Sequence, residues 1–80
     1  MKSEKRLSEI AEAAAKNNVH YIISDNKYGR FDLLTPSYRE EDGKFSWRLT
    51  WLHEFTDFSD MCKYVTSNKN LTFQFISKIC

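Results

Sequence analysis

The sequence predicts an α+β fold: a two-layer sandwich in which a mostly antiparallel four-stranded sheet carries two helices on one face, in the order α-β-β-β-α-β. Three observations carry that expectation. Two segments repeat apolar residues at helical spacing, Leu7-Ile10-Ala11-Ala14 near the start and Phe58-Met61-Cys62-Val65 late in the chain. Between and after them lie runs rich in β-branched and aromatic residues, separated by Gly29, Asp42-Gly43 and the polar stretch 67–70. Those runs alternate apolar with polar residues, the pattern of a sheet with one covered face and one wet face, and this is why both helices are expected on the same side.

The first helix is expected over residues 4–17, with Ser3 as its N-cap, Glu4 in the favourable first turn, and Asn17-Asn18 able to take up the left-handed geometry of a helix end. A strand His20–Ser24 follows, and Asp25-Asn26-Lys27 with Gly29 supplies a turn. Arg30–Leu34 reads as the second strand, stopped before Pro36, which cannot donate to a sheet ladder. The acidic Glu40-Glu41-Asp42-Gly43 then turns the chain, Asp-Gly being a strong hairpin signal. The third strand, Lys44–Leu52, has the clearest alternation: Phe45, Trp47, Leu49 and Trp51 on one face, Ser46, Arg48 and Thr50 on the other. It is expected at the centre of the sheet, with Trp47 and Trp51 buried beneath the helices. Thr56 or Asp57 caps the second helix, and Leu71–Phe75 forms the last strand.

With 80 residues the chain is read as one domain, 1–80, without internal repeat or linker. A hydrophobic fraction of 41% with 15% aromatics is enough to pack one core. The net charge of +1 provides no global field to attract nucleic acid or an anionic membrane, so electrostatic partners must be sought in local patches. Only Cys62 and Cys80 are present, too few for the disulfide framework of a small secreted domain, and both are read as free thiols. With a charged opening segment and no long apolar run, the expected location is cytoplasmic, with no membrane contact.

Few residues of the chain suggest chemistry. His53-Glu54 with Asp57 and Asp60 invites a metal, but a zinc-protease motif needs a second His where Asp57 stands, and helix capping explains the carboxylates. Cys62 falls on the buried helical stripe and Cys80 at the chain end, so neither has the base and geometry a nucleophile needs. With only Gly29 and Gly43 there is no glycine-rich phosphate loop. No catalytic residue, metal or cofactor is therefore expected. Phe45–Trp51 has the composition of a base-stacking platform, but its aromatics and Arg48 lie on opposite faces, which favours core over platform.

The α-β-β-β-α order of the first three quarters of the chain resembles that of double-stranded RNA-binding domains. The resemblance is one of element order. Those domains start their second helix with a basic cluster, where this chain has Asp57 and Asp60, so no binding residues carry over.

What remains is surface. Arg30, Asp32, Arg48, Thr50, Thr72, Gln74 and Lys78 are expected on the open sheet face, Arg39 on the hairpin loop beside Tyr38, and Tyr28, Tyr38 and Tyr64 as partly exposed anchors. The expected function is a small non-enzymatic protein-binding module, an inhibitor or accessory protein in the style of phages and mobile elements. Its contact residues are Arg30, Tyr38, Arg39 and Arg48. The alternative is weak binding of single-stranded nucleic acid through Arg30, Arg48 and Lys78.

Overall fold

The computed structural model describes residues 2–77 and Ile79, with side chains from Lys5 onward. Lys78 and Cys80, expected on the open face and at the chain end, lie outside the described residues. The element order is α1 (Lys2–Lys16), β1 (Tyr21–Asp25), β2 (Phe31–Glu41), β3 (Lys44–Phe55), α2 (Phe58–Ser67) and β4 (Phe73–Phe75). The α+β class and the α-β-β-β-α-β order are those the sequence predicts. The strands form one mixed sheet in the order β3-β2-β1-β4, with β1 antiparallel to β2, β2 antiparallel to β3, and β4 parallel to β1.

Local chemistry accounts for the element ends. α1 begins at Lys2, so Ser3 stands in its first turn rather than ahead of it. At its far end Asn18 adopts φ 58°, and the amides of Asn17 and Val19 donate back to the carbonyls of Ala13 and Ala14, satisfying the last turn. Asp57 caps α2: its Oδ1 accepts from the Asp60 amide at 2.8 Å. Asp42 and Gly43, at φ 52° and 78°, make the two-residue left-handed turn that matches the twist of β2 and β3.

The placement of the helices differs from the two-layer expectation. They cover opposite faces. α2 packs through Met61, with Cys62, Tyr64 and Val65, on the face bearing Ile23, Leu33 and Phe55. α1 packs through Ala14, with Leu7 and Ile10, on the face bearing Ile22, Leu34 and Leu49, joined by Ile79. The reason is visible in two dipeptides. Neighbouring strand residues point to opposite faces, so Ile22-Ile23 and Leu33-Leu34 give both sides of the sheet apolar surface that needs cover. Ile22 at 0% exposure and Ile23 at 3% show that both sides obtain it.

β3 is an edge strand and not the centre. β4 returns beside β1, the strand buried on both faces, and leaves β3 outermost. β2 also runs straight through Pro36, because β1's last partner on that side is Leu34 and beyond it β2 has only β3 alongside. The core consequently excludes the tryptophans: Trp51 is 57% exposed and Trp47 half-buried, while Leu33, Phe55, Met61 and Ile79 are the buried large residues beside the two isoleucines.

An irregularity decides the faces. The pairing of β2 with β3 shifts between Leu33 and Leu34, leaving Leu52 as an extra residue on β3. Leu34 therefore stands opposite Trp51 but Leu33 opposite His53. Phe45, Trp47, Leu49 and Trp51 share the α1 face, whereas Phe55 beyond the bulge is on the α2 face. The expected open-face set is divided accordingly. Arg48 and Thr50 lie on the α2 side, Asp32 and Gln74 on the α1 side, and Arg30 and Thr72 outside the strands.

Candidate functional site

β2 and β3 are 11 and 12 residues long, while β1 has five. At roughly 3.3 Å per residue the twelve residues of β3 span about 40 Å. That matches the longest dimension of the molecule, 41 Å. Near β1 and α2 both faces of this hairpin are in the core, and on the α1 face the core extends as far as Leu49. The distal half, 36–41 and 44–49, has a neighbouring strand on neither outer side.

On the α1 side of the distal half three aromatic rings meet. Tyr38 stands directly opposite Trp47, with ring centroids 5.0 Å apart, and stacks on Phe45 at 5.4 Å with the planes 6° from parallel. Tyr38 and Phe45 are 56% and 60% exposed. Cross-strand aromatic pairs of this kind hold a hairpin in register at about 0.2–1 kcal/mol each, and their outer surfaces remain available.

The opposite side of the same segment is polar. Ser37 Oγ and Thr50 Oγ1 share a hydrogen bond of 2.8 Å, and Arg39 Nη2 donates to Thr50 Oγ1 at 3.3 Å. Arg48 Nη2 lies 3.5 Å from Glu41 Oε2 in a partly exposed pair of little net worth. Arg48 Nε is covered and makes no hydrogen bond.

Of the four contact residues read from the sequence, the structure brings three to this segment: Tyr38 on one face, Arg39 and Arg48 on the other. Arg30 is elsewhere. It closes the β1–β2 loop, where Asn26 Oδ1 accepts from the amides of Tyr28 and Arg30, both at 3.0 Å. Asn26 Nδ2 donates to Asp32 Oδ1 at 3.1 Å and to Glu54 Oε2 at 2.9 Å, and Arg30 Nη1 donates to Glu54 Oε1 at 3.2 Å. Trp51 Nε1 adds a donor to Asp32 at 3.3 Å. Arg30 is thus a brace for the loop. Beside this network is a cleft of about 760 Å³ lined by Ser24, Asp25, Tyr28, Asp32 and Ile79, among others.

His53, Glu54 and Asp60 line a shallow depression between the end of β3 and α2, with His53 on the strand and its ring edge-on to Phe55 at 4.9 Å. Asp57 is used as the cap. Among the described residues no three His, Cys, Asp or Glu side chains are placed to hold one metal ion. Tyr64, expected as an exposed anchor, is half-buried in a cluster with Tyr21, Phe55 and Phe73. Desolvation, then the neighbouring Tyr21 phenol, raise its hydroxyl pKa above 10.0. Among the described residues no helix is long and apolar enough to cross a membrane.

Phe45 and Trp51, expected in the core, are exposed, and Trp47 is half-buried. One signal was present. Phe45 stands two residues after the Asp42-Gly43 turn, at the tip of a long hairpin and four residues beyond Leu49, the β3 residue that packs in the α1 cluster. Comparison with known proteins gives no matching family model, no matching curated protein and no matching solved structure.

Proposed function

We propose that this chain is a non-enzymatic protein-binding module, of an inhibitory or accessory kind, that occupies a partner's surface with the distal half of the β2–β3 hairpin. The observation that supports the reading is the exposed stacked pair Tyr38-Phe45, backed by the half-buried Trp47, toward the turn of the long hairpin. Tyr, Trp and Arg are the residue types that dominate interface energetics, and a rigid aromatic pair loses little side-chain entropy on binding. Arg39 and Arg48 on the reverse face add orientation and encounter rate. Two of the acidic residues near His53 have structural work, Asp57 in the cap of α2 and Glu54 with Arg30 and Asn26.

The test is capture from cell lysate by the immobilised chain, nuclease-treated and untreated, with the double variant Tyr38→Ser, Phe45→Ser run beside it. A protein retained stoichiometrically by the parent and lost by the folded double variant supports the reading. A protein retained equally by both moves the interface elsewhere. Retention of nuclease-sensitive material alone replaces the reading with nucleic-acid binding.

A further inference from the structure

The outer edge of β3 is the longest unpaired backbone in the sheet. β3 carries 12 residues against three for β4, the strand at the other edge, and has β2 on one side only. Proteins commonly blunt such an edge with charged side chains, lysine above all, with proline or with a bulge. Here the bulge sits at Leu52, Lys44–Trp51 is a regular run without proline, and the charges it carries, Lys44 and Arg48, are both cationic, so they oppose a cationic strand and admit an acidic one. Along it alternate residues direct their amide and carbonyl groups away from β2.

The two faces flanking that edge differ in chemistry. On the α1 side Phe45, Trp47, Leu49 and Trp51 form an apolar row, with Phe45 and Trp51 60% and 57% exposed. On the other side Lys44 and Arg48 project from β3 and Arg39 from β2, against the single carboxylate of Glu41. A strand laid beside β3 would place its side chains about 4.5–5.5 Å from these, alternately on the two faces.

From this the geometry points to strand addition: the occupant of the β3 edge is an extended segment of a partner protein with alternating acidic and apolar residues. The acidic side chains meet Lys44 and Arg48, and the apolar ones extend the row of Phe45, Trp47 and Trp51. Backbone hydrogen bonds supply affinity and the alternating side chains supply selectivity. Charge selects this occupant over a second copy of the chain. Antiparallel pairing of two β3 strands about Leu49 sets Arg48 opposite Thr50 but diagonal to the other Arg48, and moving the axis to Arg48 puts the two cations directly opposite. The inference rests on the protein-binding reading and names the partner's chemistry.

The test uses the full chain and two synthetic probes, an eight-residue capped peptide alternating glutamate and valine and its lysine-valine counterpart of equal strand propensity. Titrations followed by backbone amide shifts should move resonances of 44–51 with the glutamate peptide. The lysine peptide should bind at least about tenfold more weakly, because the electrostatic contribution reverses sign. The double variant Lys44→Glu, Arg48→Glu, checked for folding by circular dichroism, should invert the preference. Equal affinity for both peptides, or no shifts at 44–51 with either, overturns the inference. If lysate capture still depends on Tyr38 and Phe45 in that event, the protein-binding reading survives without it. Sedimentation that shows concentration-dependent dimers lost in the variant Leu49→Lys would give the edge to a second copy and equally overturn it.

Discussion

The two halves of the β2–β3 hairpin share one ladder and one alternation of side chains, yet one is core and the other surface. Near β1, Leu33 and Phe55 are 3% and 4% exposed, pressed between the sheet and Met61 of α2. Toward the turn, Tyr38 and Phe45 hold each other with both rings largely in water. The residue types hardly differ. What differs is the cover: α2 and β1 reach only the half near β1, and α1 takes Leu49 into its cluster but leaves Tyr38 and Phe45 exposed. An aromatic residue on a strand is therefore core or contact surface according to what the fold lays over it.

The largest expected effect separates the halves by stability. Phe55→Ala should destabilise the domain by about 3–5 kcal/mol, as truncation of a buried aromatic does. Phe45→Ala, which removes a partner ring but no core volume, should cost under about 1 kcal/mol. Denaturant unfolding of both variants checks this. Comparable losses would mean that the distal rings are part of the core.

A smaller effect asks whether the distal half opens by itself. Gly43 sits at φ 78° with open space where a Cβ would be, so the cost of Gly43→Ala is backbone strain alone, about 1 kcal/mol. Hydrogen exchange should accelerate for amides in 38–47 and remain unchanged at Ile22, Ile23 and Leu33. Uniform acceleration would show that the two halves of the hairpin open as one cooperative unit.

The smallest effect belongs to the covered half. Burial raises the Tyr64 pKa above 10.0, so the folded chain keeps this proton where the unfolded chain has lost it. Its contribution to stability is present below the unfolded pKa and is lost as pH rises through the folded one. Tyr64→Phe should accordingly show a shallower loss of stability above pH 10 than the parent, read as a difference between two alkaline unfolding series. Identical slopes would indicate that the phenol is solvated.

The alternation from Phe45 to Trp51 identified a strand with one apolar face, and this much was local. It did not reveal that the face is only partly covered, because coverage depends on where a 15-residue helix lands on the sheet. Arg30 looked as available as Arg48. Its pairing with Glu54, 24 positions later, depends on the bulge at Leu52, which puts Glu54 on the same side as Asp32.

By itself the sequence determined the elements and their punctuation: two helices from apolar spacing, the Asp42-Gly43 turn from its need for positive φ, the Asp57 cap from an unpaired helix terminus, and an α+β class. These are set by residues within a few positions of one another. Ile22-Ile23 and Leu33-Leu34 marked both faces of the sheet as needing cover, but only the tertiary structure decided which helix takes which face, that β3 is the edge strand, and that Trp51 lies outside the core. Each of these follows from β4 pairing with β1 across about fifty positions, a choice made by the total apolar area two faces of a sheet can bury together, which no local pattern contains.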